Sequence, residues 1–564
     1  MPLNILILGG YGVFGGRLCE LLAPEKDLSF YVAGRSLTKA DAFCAALPPG
    51  AYRQALEFDR DGDAAAQLLK IKVDLIIDAS GPFQSYGTDP YKVVKACLSC
   101  GVNYMDFADG ADFVKGIQTF DTEAKTKNVF VLSGVSSFPV LTAAVVRALS
   151  VGLSQVISIK GGIAPSPFAG VGQNVIRAIA AYAGQKIKLT RHGVQADGYA
   201  LVETCRYTIS PPGRLPLANI RFSLVDVPDL QVLPEMWSGL QNVWMGAGPV
   251  PEVLHRLLNG LAWLVRLRLV SSLALFAPLF FTVINRLRWG EHRGGMFVEV
   301  EGQLTDGRQT VRSWHLLAEG SDGPYIPCMA LQALVLRLAA GQMPSPGARP
   351  ASRDLELRDY EALFAKRTIY TGQRQTIKGD EPVGVFKTLL GSAWHDLPLP
   401  LQHLHDGRGN QRWSGNARVE RGTNWLAQTV ASMFGFPAAT ASQPTVPIDV
   451  SIKTDASSEL WTRRIGSSSF RSQLFAGKGR ADKLLTERFG PLTVGLAVVW
   501  AHGKLYYIVR NWQLLGMPMP GWLAPSGNTY ESADDERFCF HVEIRLPLVG
   551  LIVKYAGWLK PSKV

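Results

Sequence analysis

The stretch NILILGGYGVFGG, residues 4–16, decides the fold of the first part of the chain. Its apolar half predicts a buried β-strand, and its G-x-G-x-x-G pattern predicts a tight turn into a helix over about 14–22. Gly10 permits the turn, Gly12 lets backbone N–H groups approach a phosphate, and Gly15 lets the helix pack close to the strand. Because the N-terminus of a helix favours anions, the stretch predicts a dinucleotide-binding site.

The residues after the second predicted strand indicate which dinucleotide binds. An NAD-preferring domain has an acid there, which accepts hydrogen bonds from the ribose hydroxyls. This chain has Gly34-Arg35-Ser36 instead, and arginine with a hydroxyl can bind the 2′-phosphate of NADP. The alternative is that Arg35 is a solvated residue at a helix start. We predict NADP(H) as the cofactor in preference to NAD.

Strand and helix patterns alternate through residues 1–150. The third predicted strand ends at Asp59, where such domains often contact adenine. The fourth ends in the loop 80–87, which we expect to border the nicotinamide and the substrate, because ligands bind beyond the carboxyl ends of parallel strands. The pattern predicts an α/β fold that begins with a doubly wound parallel sheet of Rossmann type.

Two sets of candidate site residues follow from this arrangement. The predicted cofactor site comprises Gly10, Tyr11, Gly12, Val13, Phe14, Gly15, Arg35, Ser36, Asp59, Ala79, Ser80, Gly81, Pro82 and Phe83. The candidate catalytic residues, as proton donors or orienting groups after the fourth and fifth strands, are Tyr86, Tyr104, Asp106 and Asp109. A loop-stabilising hydrogen bond is the alternative role for each of these four.

Further motifs in this region have the spacing of a known family. They are Ser80-Gly-Pro-Phe, Tyr86-Gly87, Ala96-Cys97-Leu and Gly101-Val-Asn-Tyr-Met-Asp106. Together with the opening glycines and Gly34-Arg35-Ser36, they resemble the NADP-binding domain of the saccharopine dehydrogenase-like proteins. The resemblance covers about residues 1–145 and continues more weakly to about 370. It implies an NADP-dependent oxidoreductase of that broad family.

The middle region, residues 151–370, is predicted to be an α+β substrate-facing domain. Strand patterns near 158–163, 207–210 and 297–304 predict an antiparallel sheet against the cofactor domain. Relatives make dimer contacts through such a sheet, so a homodimer is expected. A helix within 323–341 could return to cover the cofactor cleft, and the polar stretch 371–382 reads as a linker.

The most apolar segment of the chain is residues 254–289. Its uncharged run, 269–284, is too short to span a bilayer and is flanked by paired arginines. One interpretation is peripheral contact with a lipid surface, with the arginines on the headgroups. The other is a buried core or oligomer helix pair. Both remain open.

The C-terminal region, residues 383–564, has many short strand patterns and predicts a mostly antiparallel β domain or barrel. It contains eight of the 13 tryptophans, which predicts either an aromatic-lined cavity for a hydrophobic ligand or an ordinary core. His403, His405 and Asp406 lack a further histidine or cysteine ligand nearby, so no metal site is predicted. The region resembles a domain of unknown function, DUF4166. The resembling motifs include Gly415-Asn-Ala-Arg-Val-Glu-Arg-Gly, Glu459-Leu-Trp-Thr-Arg-Arg, Leu515-Gly-Met-Pro-Met-Pro and Tyr555-Ala-Gly-Trp558.

The amino-acid composition limits the classes of binding partner that the protein is expected to have. The net charge of +11 and the pI near 9.2 suit a phosphorylated cofactor or an anionic membrane surface. Nucleic acid is not predicted, because the basic residues form no block. Seven scattered cysteines and the absence of a signal-peptide pattern favour a cytoplasmic protein, membrane-associated if the lipid interpretation holds.

The substrate stays open at this stage. An apolar, lipid-like carbonyl or enoyl compound suits the apolar middle segment and the aromatic C-terminal region. An amino-acid imine would need basic residues for its carboxylates, and Lys160, Arg177 and Arg191 are the candidates. A non-catalytic, membrane-associated protein that binds the cofactor or another ligand is a further alternative.

Overall fold

The structure is a computed structural model that describes residues 3–83, 86–170, 172–249, 251–286, 288–380, 384–407, 409–437, 445–455 and 457–562. Gln84, Ser85, Leu287 and Val383, which the sequence analysis names or spans, lie outside these ranges. The chain divides into two compact units, each treated by itself below. They are Met1–Cys205 with Arg221–Thr371, and Arg206–Ile220 with Gly372–Val564.

The N-terminal part alternates strands and helices as predicted. Its elements are β1 (Leu3–Leu8), α1 (Val13–Leu22), β2 (Leu28–Gly34), α2 (Leu37–Ala46), β3 (Tyr52–Glu57), α3 (Ala64–Leu68), β4 (Leu75–Asp78), α4 (Lys92–Cys100), β5 (Asn103–Asp106), α5 (Ala111–Gly116), α6 (Asp121–Thr126), β6 (Phe130–Ser133) and α7 (Thr142–Ser150).

The next part, to residue 377, mixes longer strands with helices. Its elements are β7 (Leu153–Ala164), α8 (Gln173–Tyr182), β8 (Lys186–Arg191), β9 (Val194–Tyr199), β10 (Thr204–Ile209), β11 (Leu217–Leu224), α9 (Asp229–Met236), β12 (Asn242–Ala247), α10 (Glu252–Arg266), α11 (Ala277–Arg286), β13 (Arg293–Leu304), β14 (Gln309–Glu319), α12 (Ile326–Ala339), β15 (Gly347–Pro350), α13 (Leu357–Phe364) and β16 (Ile369–Ile377).

The first sheet has the strand order β15-β6-β5-β4-β1-β2-β3, and its strands run parallel. The prediction of a doubly wound parallel sheet is confirmed. Strands β1 and β4 are buried on both faces by the helices, which explains why their sequences are continuous apolar runs. The register sets Leu8 beside Ala33 on one side and Asp78 on the other, so the carboxyl ends of β1, β2 and β4 meet.

Strand β15 is not predicted by the sequence, because residues 344–353 are rich in Pro, Ser, Gly and Arg and have no strand pattern. It lies at the edge of the first sheet and pairs only with β6. An edge strand needs hydrogen-bonding partners on one side alone, so it tolerates Pro350 at its end.

The second sheet has the order β10-β11-β12-β7-β13-β14-β16 and is mixed. Strand β7 pairs antiparallel with β13 and parallel with β12. The predicted antiparallel sheet is therefore wrong at β12, since two strands far apart in sequence pair in parallel here. The predicted linker 371–382 is also wrong in part, because β16 continues to Ile377.

The apolar segment forms α10 and α11, which pack partly on the rest of the unit and leave several apolar side chains exposed. In the part of the chain that the structure describes, no helix has the length and apolar character needed to cross a bilayer. The predicted covering helix is α12. It packs on α1, with Cys328 Sγ donating to Phe14 O at 3.4 Å, rather than lining the cleft described below.

The C-terminal unit is built around an antiparallel barrel. Its elements are α14 (Val385–Leu390), α15 (Leu399–Leu404), β17 (Gln411–Arg421), α16 (Trp425–Met433), β18 (Val446–Asp455), β19 (Ser458–Ile465), β20 (Ser468–Ala476), β21 (Leu485–Phe489), β22 (Leu492–Ala501), β23 (Lys504–Leu514), β24 (Met517–Pro518), β25 (Tyr530–Asp534), β26 (Arg537–Leu546) and β27 (Gly550–Pro561).

The barrel closes because β22, the first strand in the order β22-β21-β20-β19-β18-β17-β27-β26-β25-β23, also pairs with β23. The predicted antiparallel β domain or barrel is confirmed. His403 and His405 lie at the end of α15 rather than on a strand. Among the residues described, no group of three or more histidine, cysteine or acidic side chains is placed to hold a metal ion.

Candidate cofactor and substrate site

The glycine turn after β1 is as tight as the sequence predicts. Gly9 has a φ of +71°, and the Gly9 and Gly10 N–H groups donate to the carbonyl of Ala33 at 2.9 and 3.1 Å. A Cβ on Gly15 would lie 2.3 Å from the Gly9 carbonyl oxygen. Only glycine fits at this position, so α1 can begin directly beyond the end of β1. The sequence analysis missed Gly9, whose adjacent position in the Gly-Gly pair was the available signal.

The three glycines of the motif do not all face the same space. Gly12 caps α1 and borders the cleft beyond the strands. Gly10 lies beneath the turn, where a Cβ would come within 3.0 Å of Val32, and Gly15 packs against the turn itself. Gly10 and Gly15 therefore shape the turn, and Gly12 offers its backbone to a ligand.

The carboxyl ends of the strands open into a cleft of about 880 Å³. Eleven of the predicted cofactor-site residues line it, all except Gly10, Gly15 and Ser36. Ser36 instead caps α2, because its hydroxyl accepts a hydrogen bond from Lys39 N. Lining residues that the sequence analysis did not assign to this site include Gly9, Lys39, Arg60, Asp61, Phe107, Gln173 and Arg177.

Two cations mark the end of the cleft at β2. Arg35 and Lys39 both line it and are exposed to it. Tyr11 fixes this corner, because its hydroxyl accepts a hydrogen bond from Ser36 N at 3.2 Å and its ring lies where a Cβ on Gly34 would be 2.6 Å away. A guanidinium and an ammonium at this position suit the 2′-phosphate of NADP.

The end of β4 holds a buried acid under the cleft. Asp78 accepts hydrogen bonds from the Ser80 N–H at 2.9 Å, the Ser80 hydroxyl at 2.5 Å and the Tyr86 hydroxyl at 3.2 Å. The Arg60 guanidinium lies 3.5 Å from the centre of the Tyr86 ring. Burial is the main cause that raises the pKa values of both Asp78 and Tyr86. Tyr86 therefore stays protonated and holds the loop, which suits positioning better than proton donation.

Tyr104 and Asp106 are both fully buried and do not line the cleft. Asp106 Oδ1 accepts from Ala108 N, Ser133 Oγ and Gly134 N at 2.9, 3.0 and 2.7 Å. Burial raises the pKa of Asp106 to about 7. The structure therefore gives Asp106 the loop-stabilising role that was the alternative in the sequence analysis.

Asp109 lines the cleft and lies near two other acids, Asp112 and Asp226. Burial is the main cause that raises the pKa of Asp226 to about 6, and the charges of Asp112 and Asp109 contribute to the same shift. Asp226 does not itself line the cleft, so of these acids Asp109 is the one placed to meet a ligand. Asp226 comes from the turn after β11, and no motif in the sequence indicated it.

Helix α8 closes the cleft from the second sheet. Gly172, Gln173 and Arg177 line it, and a Cβ on Gly172 would contact Val13 at 3.4 Å. The N-termini of α1 and α8 therefore both border the cleft, and each favours an anionic group. Of the three basic candidates for an imine substrate, only Arg177 lines the cleft. Arg191 is instead paired with Glu203.

The wall next to Tyr86 is apolar. Phe83 and Phe107 line it, with Pro82, Val175 and Ala178. Phe107 stacks on Phe14 with ring centres 5.7 Å apart, and Phe83 packs on Phe113 at 5.1 Å. The cleft thus joins a cationic end at β2 to an apolar end at β4 and α8.

Comparison with known families agrees with this geometry. Residues 5–132 match the family model described as the saccharopine dehydrogenase NADP binding domain. Residues 397–559 match the domain of unknown function DUF4166. The search of curated proteins found no match.

Two solved structures match the chain at low identity. Apo saccharopine dehydrogenase (L-Glu forming) from Saccharomyces cerevisiae is 14% identical, covers 66% of this chain and 99% of its own, and has a TM-score of 0.48. Biliverdin reductase from Synechocystis sp. PCC 6803, solved with biliverdin and NADP+, is 13% identical over 64% of this chain and 95% of its own, with a TM-score of 0.29. The chain thus carries an NADP-binding domain of the saccharopine dehydrogenase type at its N-terminal end and a domain of the DUF4166 type at its C-terminal end.

Proposed function

We propose that this protein is an NADP-dependent oxidoreductase that acts on an apolar carbonyl or enoyl compound. The observation that carries the proposal is the single cleft that joins Arg35 and Lys39 at one end to the apolar wall of Phe83 and Phe107 at the other. Ligands of doubly wound sheets bind in this crevice beyond the carboxyl ends of the strands.

The residues of the cleft fit the cofactor. The glycine turn places the N-terminus of α1 at the cleft, where a pyrophosphate would bind, and a side chain at Gly12 would distort the turn because its Cβ would lie 2.9 Å from Gly9 O. Arg35 and Lys39 would bind the 2′-phosphate. When bound, NADPH supplies the hydride, and the protein supplies the position of the substrate and a proton.

The proton is best assigned to the acidic side of the cleft. Asp109 lines the cleft and would supply the proton, and Asp226 lies near enough for the two charges to interact. Tyr86 and Ser80, both bound to Asp78, would hold the loop that faces the substrate.

An apolar substrate fits this cleft better than an amino-acid imine does. Recognition of two or three carboxylates needs several cations near the reacting carbon. Of the three basic candidates, only Arg177 lines the cleft. Arg60 lines it as well, but its guanidinium is paired with Asp61 at 2.8 Å and lies over the Tyr86 ring. The aromatic and aliphatic wall instead offers area for burying a hydrocarbon chain.

The test is a direct one on the full chain. NADPH binding is measured first, and NADPH oxidation is then followed with panels of apolar aldehydes, ketones, enoyl thioesters and amino-acid imines. We expect turnover with an apolar carbonyl or enoyl compound. Turnover confined to imines would refute the substrate class. Tight NADPH binding without turnover on any panel would favour the non-catalytic alternative.

We also propose that α10 and α11 contact an anionic lipid surface. Leu257 on α10 is 62% exposed, Leu279 on α11 is 58% exposed, and Leu275, in the turn between the two helices, is 90% exposed. Basic side chains lie in the same segment, and an apolar face flanked by cations is typical of segments at a lipid interface. Such a position would bring the protein to apolar substrates.

A further inference from the structure

The barrel of the C-terminal unit encloses polar side chains that the proposed function does not use. Along β19 the side chains alternate, so that Leu460 is 38% exposed while Glu459 and Trp461 are 1% and 4% exposed. The strand register continues this inward set from Glu459 to Leu474, then to Glu487. Two carboxylates therefore point into the closed barrel.

A third carboxylate and a histidine complete the group. Glu531, on β25, contacts His405 Nε2 through its Oε2 at 2.6 Å, and the Tyr507 hydroxyl donates to the same oxygen at 2.6 Å. His405 is fully buried and stacks on Phe386, with ring centres 3.7 Å apart. We call His405, Glu459, Glu487, Tyr507 and Glu531 the barrel cluster.

The barrel cluster has buried polar atoms without hydrogen bonds. Trp461 Nε1 donates to Glu459 Oε2 at 2.9 Å, but Glu459 Oε1 has no partner among the described residues. Glu487 Oε1 also accepts no hydrogen bond, although it forms an ion pair with the Arg463 guanidinium at 3.5 Å. A buried carboxylate oxygen without a hydrogen bond costs free energy, so a hydrogen-bond donor placed at Glu459 Oε1 would stabilise the barrel.

Several side chains that point into the barrel remain partly accessible. Although they point inward, Glu487 and Arg463 each keep 15% of their side-chain area accessible, and Glu531 keeps 13%. Inward apolar residues on the neighbouring strands are also only partly buried. They are Phe489, Leu492, Val509, Trp512 and Val542. An apolar lining therefore continues from the polar groups.

The polar side chains of the barrel cluster determine which kind of ligand could bind inside the barrel. Glu459 Oε1 and Glu487 Oε1 are acceptors that receive no hydrogen bond, and the ring nitrogen His405 Nδ1 also makes none. A ligand that satisfies Glu459 and Glu487 must therefore donate hydrogen bonds, and its body must be apolar. We propose that the barrel interior is a second binding site, for a small amphiphile whose polar end is a hydroxyl or a protonated amine.

The experiment uses the full chain and three probes with the same alkyl tail: octylamine, 1-octanol and octanoate. Binding is measured by calorimetry below the concentrations at which the probes aggregate. We expect the amine, the alcohol or both to bind at one site per chain, and octanoate to bind at least tenfold more weakly. The ratio of amine to alcohol affinity identifies the polar end.

Two variants and a control variant test whether the probes bind at the barrel cluster. Glu459→Gln and Glu487→Gln should each weaken octylamine binding about tenfold, because a charge-assisted hydrogen bond is replaced by a neutral one. Asp449→Asn, at an exposed outward position on β18, should have no effect. An unchanged Tm and an unchanged near-UV circular dichroism spectrum in each variant show that the barrel is folded.

Three results would overturn the proposal. They are the absence of binding by both donor probes, binding of octanoate as tight as that of octylamine, and equal octylamine affinity in Glu459→Gln, Glu487→Gln and the unaltered chain.

Discussion

Replacement of Arg35 by alanine tests the cofactor assignment at one side chain. Arg35 is exposed and lines the cleft where β2 ends, so its removal costs little packing. A hydrogen bond to a charged group contributes about 1.5–3 kcal/mol, and about 1.4 kcal/mol corresponds to a tenfold change in affinity. Arg35→Ala should therefore weaken NADPH binding about 10- to 100-fold.

NADH lacks the 2′-phosphate, so its binding should change less than about threefold in the same variant. Arg35→Asp should go further and favour NADH, because a carboxylate repels the phosphate and accepts hydrogen bonds from the ribose hydroxyls. Both cofactors are titrated by the change in nicotinamide fluorescence.

The control is Lys70→Ala, an exposed cation of the same domain that does not line the cleft. It should leave both affinities unchanged, which separates a specific contact from the loss of overall positive charge. Equal weakening of NADPH and NADH by Arg35→Ala would refute the role of Arg35 in selecting the 2′-phosphate. An effect of Lys70→Ala as large as that of Arg35→Ala would refute it as well.

Three further predictions follow from the structure. Gly15→Ala places a Cβ 2.3 Å from a backbone oxygen, so this variant should lose NADPH binding and have a lower Tm. In the control Gly16→Ala, the nearest atom to the new Cβ is the end of the Phe43 side chain at 3.2 Å, so this variant should be tolerated. Equal Tm values for the two variants would contradict the prediction. Burial raises the pKa of Asp106 to about 7, whereas its value in the unfolded chain is near 3.9. Between these pH values the folded state keeps a proton on this carboxyl that the unfolded state loses. The free energy of unfolding should therefore fall as the pH rises from about 4 through 7. Asp106→Asn should flatten that decline in urea unfolding, and an unchanged slope would show that other groups cause it. A variant in which the exposed residues Leu257, Leu275 and Leu279 are all replaced by serine should no longer float with anionic liposomes. The control Leu69→Ser should still float. Flotation of the triple variant would refute the proposed lipid contact.

The first sheet could be predicted closely because its signals are local. The predicted helix over about 14–22 is observed as Val13–Leu22. Apolar runs, a glycine turn and short connections act within about ten residues of one another, so a single sequence contains them.

The elements that escaped prediction depend on distant partners. Strand β15 is four residues long and forms only by pairing with β6, and the parallel pairing of β12 with β7 joins residues more than 80 positions apart. Nothing in the local pattern of either segment specifies such a partner.

In the candidate site, too, residues near the glycine motif could be predicted and residues from distant elements could not. Arg35 and Tyr11 lie at fixed distances from the glycine motif, and both line the cleft. Arg177 and Asp226 come from α8 and the turn after β11, which the second sheet brings toward the first. Their roles depend on tertiary packing, so their spacing in the sequence does not indicate them.

Strand β15 has a consequence for how the protein is made. During synthesis, β6 leaves the ribosome about 200 residues before the partner that covers its outer edge. Until then its unpaired N–H and C=O groups are open to another chain. A truncated product that ends near residue 150 should therefore self-associate, whereas one that extends beyond β15 should remain monodisperse under the same conditions.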